Sequence, residues 1–135
     1  MKFTCIDSFC GAGGLGLGLK RAGLDILLSF DIDPICINTI NKNKNYFDHP
    51  AEAADIADML GGNLLKKCNL KRGELFLLAG GPPCQGFSVQ RRGSDIDSRN
   101  DLVLKYGQLI DELFPMYFVM ENVPRAKNLF ITFTL

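Results

Sequence analysis

Short apolar runs alternate along the chain with segments of helical period. Phe3 to Phe9 combines aromatic and β-branched residues over the length of a strand. Ile26 to Phe30, Leu75 to Ala79 and Met116 to Met120 are further apolar runs of strand length. Ala51 to Ile56 is placed as a third strand by its position in the alternation more than by its composition. Between these runs, Leu15, Leu17, Leu19 and Ala22 predict a first helix, with Gly23 as its stop. Asp33-Pro34 opens a second helix, Asp33 as N-cap and Pro34 at the first helical position, with Cys36, Ile37 and Ile40 as its face. Asn41 to Pro50 is polar and reads as helix end plus loop. From Arg99 to Phe114, apolar residues recur at Leu102, Val103, Tyr106, Leu109, Ile110 and Leu113, a helical spacing that Pro115 ends. Strands alternating with helices predict an α/β chain built on a mostly parallel sheet with right-handed crossovers.

The loop after the first strand, Phe9-Cys10-Gly11-Ala12-Gly13-Gly14-Leu15-Gly16, opens the first helix. Its glycines permit a tight turn and a close approach of backbone to ligand. Gly11, Gly13 and Gly16 satisfy the G-x-G-x-x-G spacing, and Asp31 follows about twenty residues on, at the end of the second apolar run. Nicotinamide dinucleotides and S-adenosylmethionine both offer a ribose diol to such an acid, so the loop alone leaves both open. Asp33 competes for the ribose; the capping pattern assigns it to the helix and Asp31 to the ligand.

A second loop narrows the choice. Gly80-Gly81-Pro82-Pro83-Cys84-Gln85-Gly86-Phe87-Ser88 follows the fourth apolar run. It therefore sits beyond the carboxyl end of a strand, where open α/β sheets place their ligands. Two prolines restrict the backbone just before the thiol, and a rigidly presented thiol is a candidate nucleophile. A lone cysteine is more often buried and inert; the nine-residue context argues otherwise. It resembles the catalytic loop of the cytosine carbon-5 DNA methyltransferases. Further segments are similar to that family's motifs in the same order: the glycine loop, Asp31, Asp55-Ile56, the group Asp97, Arg99 and Leu102, and Glu121-Asn122-Val123. The resemblance covers residues 3 to about 124.

The resemblance implies a Rossmann-like S-adenosylmethionine-dependent methyltransferase fold, incomplete at the C-terminus. It implies S-adenosyl-L-methionine as cofactor, held by Phe9, Gly11, Gly13, Gly14, Leu15, Asp31, Ile32, Asp55, Ile56, Pro82 and Leu102. Read alone, Asp55 is a cap for a following helix, and the period of Leu102 already makes it core. The implied catalytic residues are Cys84, Glu121 and Asn122, acting on a cytosine flipped out of DNA, with no metal. The chemistry explains the pairing of a thiol with a carboxyl. A thiolate adding to carbon-6 makes carbon-5 nucleophilic, and an acid at ring nitrogen-3 stabilises the adduct. Cys84 follows the fourth predicted strand and Glu121 the fifth, at the same sheet edge, so a flat base could bridge them. Partial burial of Glu121 would favour its protonated form, and Asn122 would hold its loop through bonds to backbone.

Composition changes this picture little. The 135 residues suffice for one core, and the formal charge of zero supplies no whole-chain attraction to nucleic acid. Five cysteines without C-x-x-C spacing suit a reduced, cytoplasmic protein, nucleoid-associated if bacterial, with no membrane partner. Gln90-Arg91-Arg92 reads equally as phosphate contact or solvated loop. Lys66, Lys67, Lys71 and Arg72 read as solvated surface, and His49 receives no role. The chain ends 12 residues after Val123, before the family's Gln-x-Arg-x-Arg motif, target-recognition region and last two motifs. The expectation is a partial cofactor and catalytic domain over 1–124, with 125–135 as an unpaired tail. It would be a truncated product, an expressed portion, or one half of a split enzyme that needs a complementary C-terminal subunit and is silent on duplex DNA alone. The alternative is an inactive remnant that only binds S-adenosylmethionine.

Overall fold

The computed structural model describes residues 2–83 and 100–122. Five strands, β1 (Thr4–Ser8), β2 (Asp25–Asp31), β3 (Ala51–Ala53), β4 (Leu77–Gly80) and β5 (Tyr117–Met120), form one sheet in the order β3-β2-β1-β4-β5, with every pairing parallel. The helices are α1 (Gly14–Arg21), α2 (Pro34–Lys42), α3 (Gly61–Lys67) and α4 (Asn100–Leu113), and a 3-10 turn covers Ile56–Asp58. The expected α/β architecture is therefore present. The strand order reverses between β1 and β4, so the connections leaving these two strands diverge and open a crevice at their carboxyl ends.

All five residues of β1 and all four of β4 are buried, as central strands covered on both faces must be. On one face, Ile6, Leu28, Phe30 and Leu78 pack with Leu64 of α3 and with Tyr106, Leu109, Ile110 and Leu113 of α4. On the other, Cys5, Ile26, Leu77 and Ala79 pack with Leu15 and Leu19 of α1. A third cluster of Cys10, Ile37, Ile40 and Phe47 lies where α2 meets the glycine loop. Tyr106 is fully buried, and its hydroxyl reaches the carbonyls of Leu78 and Val119 at 3.0 and 2.8 Å, one proton shared between two strands.

The sequence signals at the helix ends act locally. Gly23 adopts φ +94°, with its amide bonded to the Lys20 carbonyl and the Leu24 amide to the Leu19 carbonyl. That pair of bonds is a Schellman stop. Asp33 caps α2 by accepting from the Ile35 amide at 2.8 Å, with Pro34 in the first turn. The predicted third strand is shorter than expected. After Ala53 the chain leaves the sheet, and Asp55 caps the 3-10 turn by accepting from the Ala57 amide at 2.9 Å.

Two features go beyond the expectations. Helix α3 lies in a stretch given no element from sequence. Leu60, at its N-cap, supplies no side-chain bond, and the Gly61 amide donates instead to the Glu112 carboxylate of α4. His49, in the segment read as a polar loop, is buried. Its Nε2 lies 2.8 Å from the hydroxyl of Ser29 on β2, and burial pushes its pKa down.

Candidate cofactor and catalytic site

Strands β1 to β4 bring their carboxyl-terminal ends to one place, and α4 adds its first turn. A cavity of about 300 Å³ is lined by Phe9 after β1, Phe30, Asp31 and Ile32 at the end of β2, and Ala54, Asp55 and Ile56 after β3. Gly81 and Pro83 after β4 and Leu102 of α4 complete the wall. The structure thus brings together Phe9, Asp31, Ile32, Asp55, Ile56 and Leu102 of the residues named from sequence. Phe30, Ala54, Gly81 and Pro83 were not among them; Gly81 and Pro83 belong to the loop quoted above, while Phe30 and Ala54 are signalled in the sequence only by their places at or after strand ends.

Asp31 organises the glycine loop. One carboxylate oxygen accepts from the Gly11 amide at 2.8 Å and the other from the Asp33 amide at 2.9 Å. Each oxygen retains acceptor capacity, so the carboxylate is free to take a hydroxyl as well as to hold the loop. The loop is further tied by Cys10 N–H to the Phe30 carbonyl at 3.2 Å and Gly13 N–H to the Cys10 carbonyl at 2.9 Å. Phe9 sits at φ +52°, a left-handed conformation unusual for a bulky residue.

The glycines divide into two kinds. A Cβ added at Gly11 or Gly14 would meet nothing within 4 Å, so backbone is open to solvent there. A Cβ at Gly13 would lie 2.6 Å from the Phe47 ring, so Gly13 is demanded by packing and by its φ of +92°. Leu15 likewise packs into the α1-side cluster. Pro82 is buried, whereas Ile32 is 68% exposed at the cavity mouth, an apolar side chain held open to solvent.

The second half of the site lies where β4 and β5 end side by side. The Glu121 amide donates to the Gly80 carbonyl at 2.9 Å, which continues the β4–β5 pairing past the strands. The Glu121 carboxylate comes within 3.2 Å of where a Gly81 Cβ would stand. Asn122 Nδ2 donates to the Pro82 carbonyl at 3.2 Å and ties the segment after β5 to the proline loop. Glu121 is exposed rather than partly buried as expected, and β5 is the outermost described strand. Cys84, Gln85 to Ser88, Gln90 to Arg92, Asp97, Arg99, Val123 and the tail 125–135 lie outside the described residues.

Lys66, Lys67, Lys71 and Arg72 are exposed, as expected. Lys67 pairs with Glu52, and Arg72 lies over the Phe114 ring. Among the described residues, no cluster of His, Cys, Asp and Glu is arranged to hold a metal ion, and no helix is long and apolar enough to cross a membrane.

Residues 3–129 match the C-5 cytosine-specific DNA methylase family. The chain belongs to this family. It is 39% identical over 118 residues to the type II methyltransferase M.XorII of Xanthomonas oryzae pv. oryzae, an alignment covering 87% of this chain and 27% of that protein. It is 38% identical over 130 residues to the type II methyltransferase M.AquIA of Picosynechococcus, covering 95% of this chain and 51% of that protein. Among solved structures, it superposes with a TM-score of 0.78 and 35% identity on an Escherichia coli prophage protein described as a DNA modification methyltransferase, over 94% of this chain and 34% of that one. The chain thus spans between about a quarter and a half of the length of these relatives. In the crevice, Phe9, Asp31 and Asp55 stand with the ends of β1, β2 and β3, and Gly81 and Pro83 with the end of β4.

Proposed function

We propose that this chain carries the cofactor-binding and nucleophile-bearing part, over residues 1–124, of an enzyme that methylates carbon-5 of cytosine in DNA. The observation that carries the reading is a crevice, in a member of this family, that gathers Phe9 at the start of the glycine loop, Asp31 and Asp55 with Gly81 and Pro83 after β4, while Asp31 holds the Gly11 amide and β5 pairs alongside β4. The residues present fit S-adenosylmethionine. Asp31 would accept from the ribose hydroxyls. Ile32, Ile56 and Leu102 would pack against the adenine, with Asp55 at its polar edge. The open backbone at Gly11 and Gly14 would admit the methionine end. When bound, the cofactor supplies an electrophilic methyl group.

The chain's own residues would prepare the base. Cys84, two residues beyond the anchored Pro82, would add as thiolate to carbon-6 of a cytosine taken out of the stack. Glu121, beside Gly81, would give its proton to ring nitrogen-3, leaving carbon-5 nucleophilic. After methylation, loss of the carbon-5 proton to solvent or a base breaks the carbon–sulfur bond and releases the thiolate, and ring nitrogen-3 returns its proton to the Glu121 carboxylate, which restores the ring. Asn122, through Pro82, would fix the proline loop that presents Cys84. DNA is accordingly the proposed partner, and the segments that relatives carry beyond this chain's span would grip it.

The test joins the chain to the remaining segments of a relative and follows transfer of labelled methyl groups to DNA. Cys84→Ser should abolish transfer while cofactor binding persists, since a serine hydroxyl is a poor nucleophile without a strong base. DNA containing 5-fluorocytosine should trap an adduct that mass spectrometry maps to Cys84. An adduct on Cys5, Cys10, Cys36 or Cys68, or an active complex that traps none, would overturn the mechanism.

A further inference from the structure

The mechanism makes no use of Asp7, although this residue is the most unusual group in the fold. It lies on β1, two residues before the glycine loop, with no solvent exposure. Neither carboxyl oxygen has a hydrogen-bond partner. One of them stands 2.6 Å from where a Cβ of Gly16 would be, directly beneath the first turns of α1. The Gly16 amide faces the carboxyl and partly offsets its burial without reaching bonding geometry. Gly13, at the N-cap of α1, has no side chain to offer. A buried acid with no partner is costly, and fold stability alone would be better served by an apolar residue there.

The charges around Asp7 make the omission specific. Among the described residues, the groups that act on it or respond to it are Asp31 on β2, Cys5 on β1, Cys10 in the glycine loop and Tyr106 on α4. All are neutral or negative. The basic residues of α1, Lys20 and Arg21, lie in its last turn, at the opposite end from Asp7. Burial first, and then the Asp31 charge, raise the Asp7 pKa to about 7. Burial first, and then the Asp7 charge, push up the thiol of Cys10, which lies in the glycine loop. What the arrangement lacks is a cation.

We propose that Asp7 reads the charge of the cofactor through the glycine loop, so that the site distinguishes the sulfonium of S-adenosylmethionine from the neutral thioether left after methyl transfer. This rests on the cofactor site proposed above. With the sulfonium in place, the carboxyl gives its proton to solvent and the carboxylate becomes the counter-charge. Once the methyl group has left, the positive charge is gone, the carboxylate is again unpartnered, and it takes a proton back. Proton uptake thus accompanies product formation and favours exchange of product for fresh cofactor.

The experiment is titration calorimetry of the full chain with S-adenosylmethionine and with S-adenosylhomocysteine, in buffers of different ionisation enthalpy. Near neutrality, the wild-type chain should release part of a proton on binding the sulfonium compound, and less on binding the thioether. The affinity ratio of the two ligands should rise severalfold between about pH 6 and pH 8, within the limit of about tenfold per pH unit that one linked proton allows. In Asp7→Asn the difference in proton release should shrink, and the ratio should flatten. Carbon NMR of the carboxyl-labelled wild-type chain gives a readout that needs no variant: the Asp7 signal should move to its ionised position with S-adenosylmethionine and not with S-adenosylhomocysteine. If both ligands bind and the signal and proton count do not distinguish them, the inference fails while the cofactor site stands. If neither ligand binds, the proposed site fails and the inference with it. An unchanged pH-dependent ratio in Asp7→Asn would transfer the effect to another group and overturn the role of Asp7.

Discussion

Replacing Asp31 tests the architecture and the binding site together. Its carboxylate holds two backbone amides, Gly11 at 2.8 Å and Asp33 at 2.9 Å, and so fastens the glycine loop to the start of α2. Hydrogen bonds to a charged acceptor contribute about 1.5–3 kcal/mol each. Asp31 is only half-buried, which argues for the lower end, and Asp31→Ala should cost about 3 kcal/mol in total. For a chain of this size that is a fall in Tm of roughly 10 °C. Asp31→Asn keeps one acceptor oxygen and turns an amide toward the second donor, so its fall should be about half as large, again by the per-bond figure. Scanning calorimetry of the free chain measures the structural part. Titration with S-adenosylmethionine measures the other, and both variants should bind more weakly than wild type. A Tm for Asp31→Ala within about 2 °C of wild type would refute the claim that this carboxylate fastens the loop. Unchanged affinity in a destabilised Asp31→Asn would confine Asp31 to loop support and remove it from the ribose.

Three further outcomes follow from the packing and the buried charge. Gly13→Ala should cost about 2–4 kcal/mol, from a strained positive φ and the collision with Phe47, whereas Gly18→Ala in exposed α1 should gain up to about 1 kcal/mol; urea unfolding compares them, and equal midpoints would contradict the assignment. Tyr106→Phe should lower stability by about 1–2 kcal/mol through the lost bonds to Leu78 and Val119, and a loss below about 0.3 kcal/mol would show the hydroxyl to be idle. The Asp7 carboxyl is raised to about 7, so its contribution to stability is complete below its ordinary value of 3.8 and is lost as pH climbs through 7, by up to about 4 kcal/mol. His49, lowered by burial, gives a slope of opposite sign below 6.5, so the Asp7 part is the difference between wild-type and Asp7→Asn unfolding at pH 5 and pH 8; coincident profiles would show that Asp7 does not titrate there.

The parts of the fold legible in the sequence are those whose cause is local. Gly23 stops α1 and Asp33-Pro34 starts α2 with atoms from their own turns. The strand runs at Ile26 and Leu75 are apolar on both faces because both faces are covered. Helix α3 was illegible because its cap, Glu112, lies 51 residues away in sequence. The burial of His49 was illegible for the same reason, since the Ser29 that receives it belongs to a strand twenty residues earlier. In the site, Asp31 was readable because it ends a strand, and position after a strand is position at the crevice, whereas Phe9 and Asp55 came only from the family resemblance. Asp7 was not, because within Cys5-Ile6-Asp7-Ser8 nothing marks an aspartate as sealed beneath a helix. The exposure of Glu121 was also hidden, because it depends on what stands beyond β5, not on Glu121 itself.

The left-handed backbone of Phe9 places stability and binding in opposition at one position. A bulky residue at φ +52° carries about 1–2 kcal/mol of strain that glycine would relieve. The same ring is a wall of the cavity. A library selected only for heat resistance should therefore drift at position 9 toward glycine or asparagine, and its survivors should hold cofactor less well. A library selected for turnover should keep the aromatic ring and recover the lost stability elsewhere, at positions such as Gly18 where nothing is bound.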